Sequence, residues 1–283
     1  MTDWERGFLL LTCPLGIPGR KPLTTAQFRQ LSQRVRERNA PKEDRDLVEE
    51  DLLALGYDAS AAAHILQLLA QKSQLEQYLA KASCYGCYAV TRNSRQYPER
   101  LRQLLGEDAP AALWLKGNIN LLETPMISVV GSRDLLLENR RFAERIGYLA
   151  ARQGYTLVSG NARGADSVAQ EACLRAGGRV ISVVADKLQK QCIRENVLYI
   201  SENGFDCDFS AARALSRNHV IHALGSKVYV AQCSLRKGGT WSGTYHNLKN
   251  KRTPVVCFAD GSAATEELCS LGATTADNTI EKL

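Results

Sequence analysis

The sequence predicts an α/β protein in which a doubly wound, mostly parallel sheet follows a small all-α region. Two observations support this fold class. Beyond about residue 84, short runs rich in valine and isoleucine alternate with amphipathic segments of helical spacing. Before that point, apolar residues recur only at helical spacing. Strands with nearly continuous apolar runs are typical of parallel sheets that helices cover on both faces.

The helical region, residues 1–80, is predicted to be a separate domain that packs around its own core. Its first helix begins at residues 24–27 (Thr-Thr-Ala-Gln), a typical N-terminal capping sequence, and ends at the break 39–41 (Asn-Ala-Pro). Apolar residues at helical spacing predict two further helices, over 47–56 and 62–69. A small helical bundle is therefore expected.

The rest of the chain, residues 84–283, is predicted to form the sheet. A strand at 126–130 is followed by an amphipathic helix at 137–153, and this strand–helix pattern recurs. The further strands are predicted at 155–158, 179–184, 197–200, 227–231 and 254–258.

Two of these strands end in glycine turns that carry an arginine. The first turn is Gly131-Ser132-Arg133, and the second is Ser-Gly-Asn-Ala-Arg-Gly-Ala-Asp at residues 159–166. In a parallel α/β sheet, ligands bind outside the carboxyl ends of the strands, where helix N-termini favour anions. The glycines are expected to let the backbone approach an anion, and the arginines to bind its phosphate oxygens. The alternative is that one arginine pairs with a carboxylate such as Asp166.

A third glycine turn follows the strand at 227–231. Its lysine and two glycines, Lys237, Gly238 and Gly239, are predicted to form a phosphate cradle at the start of a helix. Trp241 in the same turn has two interpretations, since it either stacks a base or simply packs in the core.

Composition fits a soluble protein of ordinary globular type. The 283 residues are 45% hydrophobic and 23% charged, and the net charge of +6 favours a polyanionic partner over an acidic-surface chemistry. Nine cysteines, an odd number, indicate a reduced cytoplasmic compartment rather than a disulfide framework. No membrane or export segment is predicted, and Cys84 and Cys87 are interpreted as structural residues. Neither a metal nor a cofactor is expected.

The ordered set of motifs resembles one family, DNA-processing protein A, which is also called DprA or Smf. Its members carry a Gly-Ser-Arg turn after the first strand and a Ser-Gly-x-Ala-Arg-Gly-x-Asp loop after the second. The resemblance extends over residues 84–283 and includes the segment Arg217-Asn218-His219, which is similar to the family's Arg-Asn-Arg. Two positions depart from the family's pattern. His219 replaces an arginine and weakens the expected phosphate contact, and Gln170 replaces a histidine.

The resemblance implies an extended Rossmann-like fold and the binding of single-stranded DNA. It also implies delivery of that strand to a RecA-type recombinase during DNA uptake, by a homodimer. The helical region would be a sterile-alpha-motif or helix-hairpin-helix domain, and the chain has no room for the C-terminal winged helix of many relatives. The expected phosphate-binding residues are Gly131, Ser132, Arg133, Ser159, Gly160, Arg163, Gly164, Arg217, Asn218, Lys237, Gly238 and Gly239.

Two alternatives from other classes stay open. One is a nucleotide-binding sensor or a nucleotide phosphoribohydrolase similar to the lonely-guy family, which uses a glutamate after a Gly-Gly-x-Gly-Thr turn. Here residues 245–248 are Tyr-His-Asn-Leu, so the acid is missing, and no other residue is a convincing catalytic acid or nucleophile. Glu202 is the one carboxylate expected near the site, although bracing a loop is the preferred interpretation. The protein is therefore not expected to be an enzyme. The other alternative is an interaction protein whose pocket no longer binds a ligand.

Overall fold

The computed structural model describes residues 1–37 and 46–283. The predicted helix break at 39–41 lies outside these residues. Within them lie eleven α-helices and nine strands, and five of the helices precede the first strand. In chain order the elements are α1 Asp3–Thr12, α2 Thr25–Glu37, α3 Glu49–Ala54, α4 Ala59–Leu69, α5 Lys72–Cys84, β1 Cys87–Thr91, α6 Glu99–Leu105, β2 Ala112–Gly117, β3 Met126–Val130, α7 Leu137–Arg152, β4 Thr156–Ser159, α8 Ala165–Arg175, β5 Arg179–Val183, β6 Val197–Ser201, α9 Ala211–Leu224, β7 Val228–Val230, α10 Gly238–Lys249, β8 Val255–Phe258, α11 Ala263–Ser270 and β9 Thr274–Ala276.

All nine strands belong to one sheet, in the order β1-β2-β6-β5-β4-β3-β7-β8-β9. In this order, the seven neighbouring strands β6-β5-β4-β3-β7-β8-β9 run parallel to one another. Strand β2 pairs antiparallel with both β6 and β1. The prediction of a mostly parallel, doubly wound sheet is therefore confirmed. The sequence analysis did not predict β1, β2 or β9.

The direction of winding reverses at β3, and this reversal determines where a ligand can bind. From β3 the chain proceeds outward through β4, β5 and β6, and then returns to place β7 on the other side of β3. Loops on either side of such a reversal diverge and leave a crevice at the carboxyl ends of the strands. The loops after β3, β4 and β7 flank this crevice, and they contain the three predicted glycine turns.

Helices cover both faces of the sheet. Successive side chains of β4 point to opposite faces, so that Leu157 belongs to one core and Val158 to the other. The first core lies beneath α7 and α8, and the second beneath α6, α9, α10 and α11. Both residues are fully buried, which explains why the strands read as unbroken apolar runs.

The N-terminal helices are divided between two cores. Helices α2, α3 and α4, which match the three predicted helices, pack in a cluster around Phe28, Leu31 and Leu52, which Leu11 of α1 also joins. Helices α1 and α5 were not predicted, and both pack on the sheet. Tyr78 of α5 contacts Trp114 of β2, with 5.2 Å between ring centroids. A boundary at residue 80 stays a prediction, because α1 and α5 contribute to the core of the sheet.

In the described residues, no helix combines the length and the apolar character needed to span a bilayer.

Candidate phosphate-binding site

The loops after β3, β4 and β7 are hydrogen-bonded to one another. The backbone N–H of Ser132 donates to the carbonyl oxygen of Gln232 at 2.9 Å, and the Ser132 carbonyl accepts from the N–H of Ala165 at 3.1 Å. The hydroxyl of Thr240 donates to the carbonyl of Gly131 at 3.0 Å. The structure thus brings the three predicted turns together in one connected edge, which we call the switch-point edge (residues 131–134, 159–166 and 232–240).

Three glycines of this edge are required by neighbouring protein groups. A Cβ at Gly131 would lie 2.5 Å from the Cβ of Ala165, and one at Gly164 would overlap the backbone carbonyl of Ser132. A Cβ at Gly160 would overlap the guanidinium of Arg217. Packing within the protein thus accounts for these glycines, and the approach of an anion to Gly131 and Gly160 stays a prediction.

Arg217 is directed into the protein rather than toward a ligand. Its side chain is only 10% exposed and lies 3.6 Å from the carboxylate of Asp166, which is 7% exposed. Burial lowers the pKa of Arg217 and raises the pKa of Asp166, in each case as the main cause. Burial disfavours each charge taken alone, whereas the attraction between the two groups acts in the opposite direction, so each charge depends on its partner. The expected phosphate contact of Arg217 is not available in this arrangement.

Ser159 and Asn218 also act within the protein. The hydroxyl of Ser159 is buried and donates to the carbonyl of Val129 at 2.8 Å. The side-chain amide of Asn218 donates to the carbonyl of Gly239 at 3.0 Å and holds the start of α10. These two residues shape the switch-point edge and do not present free donors there.

Three cationic side chains of the predicted set remain open to solvent: Arg133, Arg163 and Lys237. Arg163 is paired with Asp134 at 2.6 Å, but the two side chains are 74% and 86% exposed. Such an exposed pair is weak and readily exchanged for a phosphate. Arg133 and Lys237 form no ion pair with any residue that the structure describes. The predicted alternative, pairing of an arginine with Asp166, applies to Arg217 and not to Arg163.

The first backbone N–H groups of α8 are hydrogen-bonded within the protein, whereas those of α10 are not so bonded to any described residue. At α8, the N–H groups of Ala165 and Ser167 donate to the carbonyls of Ser132 and Ala162. At α10, the preceding residue Lys237 makes no side-chain cap. The N–H groups of Gly238 and Gly239 donate no hydrogen bond outside the helix within the described residues. The first turn of α10 is therefore the open anion-binding end.

Trp241 and His222 have structural roles. Trp241 is 6% exposed and packs beside Tyr245 with ring centroids 6.4 Å apart, which agrees with the packing interpretation. Burial lowers the pKa of His222 to about 4, and its Nδ1 lies 2.7 Å from the carbonyl of Asn218. Neither ring is exposed for stacking on a base.

A cavity of about 400 Å³ lies between the N-terminal helices and the sheet domain. Glu202, Ser216, His219 and His246 contribute its polar lining. The hydroxyl of Ser216 donates to the carboxyl of Glu202 at 2.7 Å, so Glu202 braces α9, as the preferred interpretation expects. Burial raises the pKa of Glu202 to about 7. Sequence reasoning missed the cavity because its lining comes from distant segments that share no motif.

Residues 1–37 and 46–283 contain no cluster of three or more side chains suited to a metal ion, and all nine cysteines are free. Cys84 is exposed, whereas Cys87 is buried in the core. The burial of Cys87 fits a structural residue, whereas for the exposed Cys84 this interpretation stays a prediction.

A family model described as DNA recombination-mediator protein A matches residues 88–283. DNA processing protein DprA of Bacillus subtilis is 28% identical over 205 residues, which are 66% of this chain and 68% of that protein. DprA of Streptococcus pneumoniae strain R6 is 32% identical over 152 residues, or 50% and 53% of the two chains. Protein Smf of Escherichia coli K12 is 29% identical, and the match covers only 43% of its length. The chain thus spans between two fifths and two thirds of these relatives.

Two solved structures are similar to this chain. That of DprA from Streptococcus pneumoniae has a TM-score of 0.75 at 22% identity and covers 98% of this chain and 95% of that one. It supports the same fold. A structure of DprA from Helicobacter pylori, described for its single-stranded DNA binding mode, has a TM-score of 0.56 at 25% identity. It covers 66% of this chain and 90% of that one.

Proposed function

The chain belongs to the family of DNA recombination-mediator protein A, and from this premise we propose that it binds single-stranded DNA through backbone phosphates at the switch-point edge. The family is one of DNA-processing proteins and not a known enzyme family. The relative from Helicobacter pylori is described as binding single-stranded DNA. This likeness supports the choice of ligand, and the geometry of this chain supports the place.

One observation carries the proposal. Arg133, Arg163 and Lys237 are exposed on loops that hydrogen bonds tie into one edge, next to the open first turn of α10. Exposed guanidinium and ammonium groups at a helix start bind phosphate oxygens without reading the bases. Arg217 has a different part in this proposal, because it fills the space beside Gly160 and fixes the loop that carries Arg163.

The proposal includes the wider family role. The description of the family as a recombination mediator supports transfer of the bound strand to a RecA-type recombinase in DNA uptake. A homodimer and a cytoplasmic location are parts of the same proposal, and the nine free cysteines agree with a reducing compartment.

Fluorescence anisotropy with labelled oligo-dT of several lengths, over a salt series, tests the proposal. Wild-type binding should strengthen with strand length and weaken steeply with salt, because each phosphate contact releases counterions. Arg163→Ala should reduce the slope of log K against log salt by about 0.7, the value for one contact on a single strand. Arg175→Ala is the matched control, since Arg175 is exposed at the opposite end of α8.

Two results would contradict the proposal. If Arg175→Ala and Arg163→Ala lowered the slope equally, binding would depend on net charge and not on the switch-point edge. If a mononucleotide saturated the protein and longer strands bound no more tightly, the nucleotide-sensor alternative would replace DNA binding.

A further inference from the structure

The cavity between the N-terminal helices and the sheet has both apolar and polar lining. Phe28 of α2, Leu105 of α6 and Val220 of α9 are among its apolar residues. Its volume of about 400 Å³ is in the range of small-molecule sites. Polar lining residues lie on α9, on α10 and directly after β6, and others come from α2 and the segment after α6.

Several polar groups of the cavity have unused hydrogen-bonding capacity. Glu202 accepts one hydrogen bond through Oε2, from Ser216, and its Oε1 has no partner among residues 1–37 and 46–283. The ring nitrogens of His219 and His246 make no hydrogen bond there either, and the two ring centroids are 6.0 Å apart. These groups keep access to solvent, since Glu202 and His219 are half-buried and His246 is exposed. A polar ligand that enters the cavity would exchange their contacts with water for its own.

The lining of the cavity carries both signs of charge. Asp108 is paired with Arg29 at 2.8 Å and lies 3.9 Å from Arg252, and Glu202 is a second acidic residue of the lining, so no single sign dominates. Burial lowers the pKa of His219, with Arg252 and His246 acting in the same direction, which favours the neutral ring. A carboxyl group and an imidazole ring offer donors and acceptors side by side. A planar heterocycle with both kinds of group at its edge, such as a nucleobase, matches this set.

Helix α9 connects the cavity to the switch-point edge. Arg217 and Asn218 face that edge, where they contact Gly160 and Gly239. The flanking residues Ser216 and His219 line the cavity. Residues 216–219 of α9 therefore contact both the cavity and the switch-point edge.

We propose that the cavity binds a single nucleobase through the Glu202 carboxyl group and the His219 imidazole. The base belongs either to a strand held at the switch-point edge or to a free nucleotide. The first source rests on the proposed function, whereas the second does not. The phosphates give affinity without sequence preference, and the cavity adds a contact that depends on the base.

The test compares a 20-nucleotide oligo-dT with an abasic oligonucleotide of the same length, which retains the phosphates. Wild type should bind the base-bearing strand about tenfold more tightly. His219→Leu, which keeps an apolar volume and removes both ring nitrogens, should reduce this ratio to about one without changing the salt slope. Glu202→Gln should retain the preference, because an amide also offers a donor and an acceptor.

If His219→Leu does not fold, a second pair of variants tests the inference. Thr25 lines the cavity from the exposed first turn of α2, and its neighbour Ala26 is exposed but does not line it. Thr25→Leu should narrow the cavity and weaken the preference for bases. Ala26→Leu should bind both strands as wild type does.

Calorimetric titration with the four deoxynucleoside monophosphates distinguishes the sources of the base. Saturable binding that His219→Leu abolishes, with no effect on the oligonucleotide ratio, would assign the cavity to a free nucleotide. This result would support the inference even if no oligonucleotide bound. If wild type, His219→Leu and Thr25→Leu bound every probe equally, the inference would be overturned, although a normal salt slope would still support DNA binding.

Discussion

Arg217, which was expected to bind a ligand, forms a buried ion pair with Asp166 instead. Removing either partner leaves the other charge buried without compensation, which costs more than the intact pair contributes. Gly160 belongs to the same unit, because the guanidinium of Arg217 lies where its Cβ would be. The three residues therefore form one structural unit beneath the switch-point edge.

This unit predicts a non-additive effect on stability. Gly160→Ala should displace the guanidinium, leave Asp166 unpaired and lower the free energy of unfolding by about 3 kcal/mol. In an Arg217→Ala background, the same change should cost less than about 1 kcal/mol, since the added methyl group then finds open space. Urea denaturation of the two single variants and the double variant measures the coupling. Additive costs would show that Gly160 and Arg217 act independently.

The raised pKa of Glu202 predicts that wild type and Glu202→Gln differ in stability by an amount that depends on pH. Its pKa in the folded protein is about 7, above its ordinary value of 4.5, so the fold disfavours ionisation. The resulting cost is absent below about pH 4.5, grows as the pH rises and is complete above about pH 7. Glu202→Gln should therefore raise the free energy of unfolding by about 2 kcal/mol at pH 8 and leave it unchanged at pH 4.5. An equal gain at both pH values, in urea denaturation, would exclude ionisation of Glu202 as the cause.

At the scale of elements, the contact between α7 and α8 controls the position of the switch-point edge. A Cβ at Gly147 of α7 would overlap the carbonyl oxygen of Ala169 in α8, so the two helix backbones touch. Helix α8 begins at Ala165, whose N–H is bonded to Ser132. Separation of the helices would therefore move the loop that carries Arg163.

Two glycine substitutions should have opposite effects. Gly147→Ala should lower the free energy of unfolding by about 2–3 kcal/mol and also weaken binding of oligo-dT, because α8 is pushed from its place. Gly7→Ala, in helix α1 with no neighbouring atom within 4 Å, should raise stability by about 0.5–1 kcal/mol and leave binding unchanged. Thermal unfolding and anisotropy together measure both effects. A stable Gly147→Ala variant would show that the helices can separate without cost.

At the scale of the whole molecule, the N-terminal helices differ in which hydrophobic core they pack into. One core of the sheet includes α1 and α5, whereas α2, α3 and α4 contribute to a smaller cluster, which Leu11 of α1 also joins. Units with fewer shared contacts open at lower free energy than the rest of a protein. The N-terminal helices should therefore not behave as one unit.

Hydrogen exchange should reveal this division. Amides of α1 and α5 should exchange with the free energy of global unfolding, and those of α2, α3 and α4 with a lower one. Two buried leucines form a matched pair for the test. Leu31→Ala should reduce protection only in α2–α4, and Leu75→Ala should reduce it throughout, because they belong to different cores. Equal protection of all five helices would contradict the division.

The sequence predicted the parallel strands because their two-sided burial leaves unbroken valine and isoleucine runs between glycine turns. It did not predict β9, which has only three residues, two of them exposed. Strand β1 lies at the edge of the sheet and is only partly buried, which leaves little local signal. Strand β2 was missed although its buried Ala-Leu-Trp-Leu run is as apolar as those of the parallel strands. The sequence also indicated which loops meet. It could not indicate which arginine is buried, since the burial of Arg217 depends on Asp166, 51 positions earlier.

The exposed pair of Arg163 with Asp134 has a consequence for selectivity. Asp134 contacts the guanidinium of Arg163 at 2.6 Å, and so acts as a tethered but weak competitor for it. An anion that binds the same face of the guanidinium displaces this carboxylate. A lone carboxylate or a short, weakly charged polymer gains little from the exchange. A continuous phosphate chain engages several cations at once, and it therefore outcompetes Asp134 where a weaker polyanion does not.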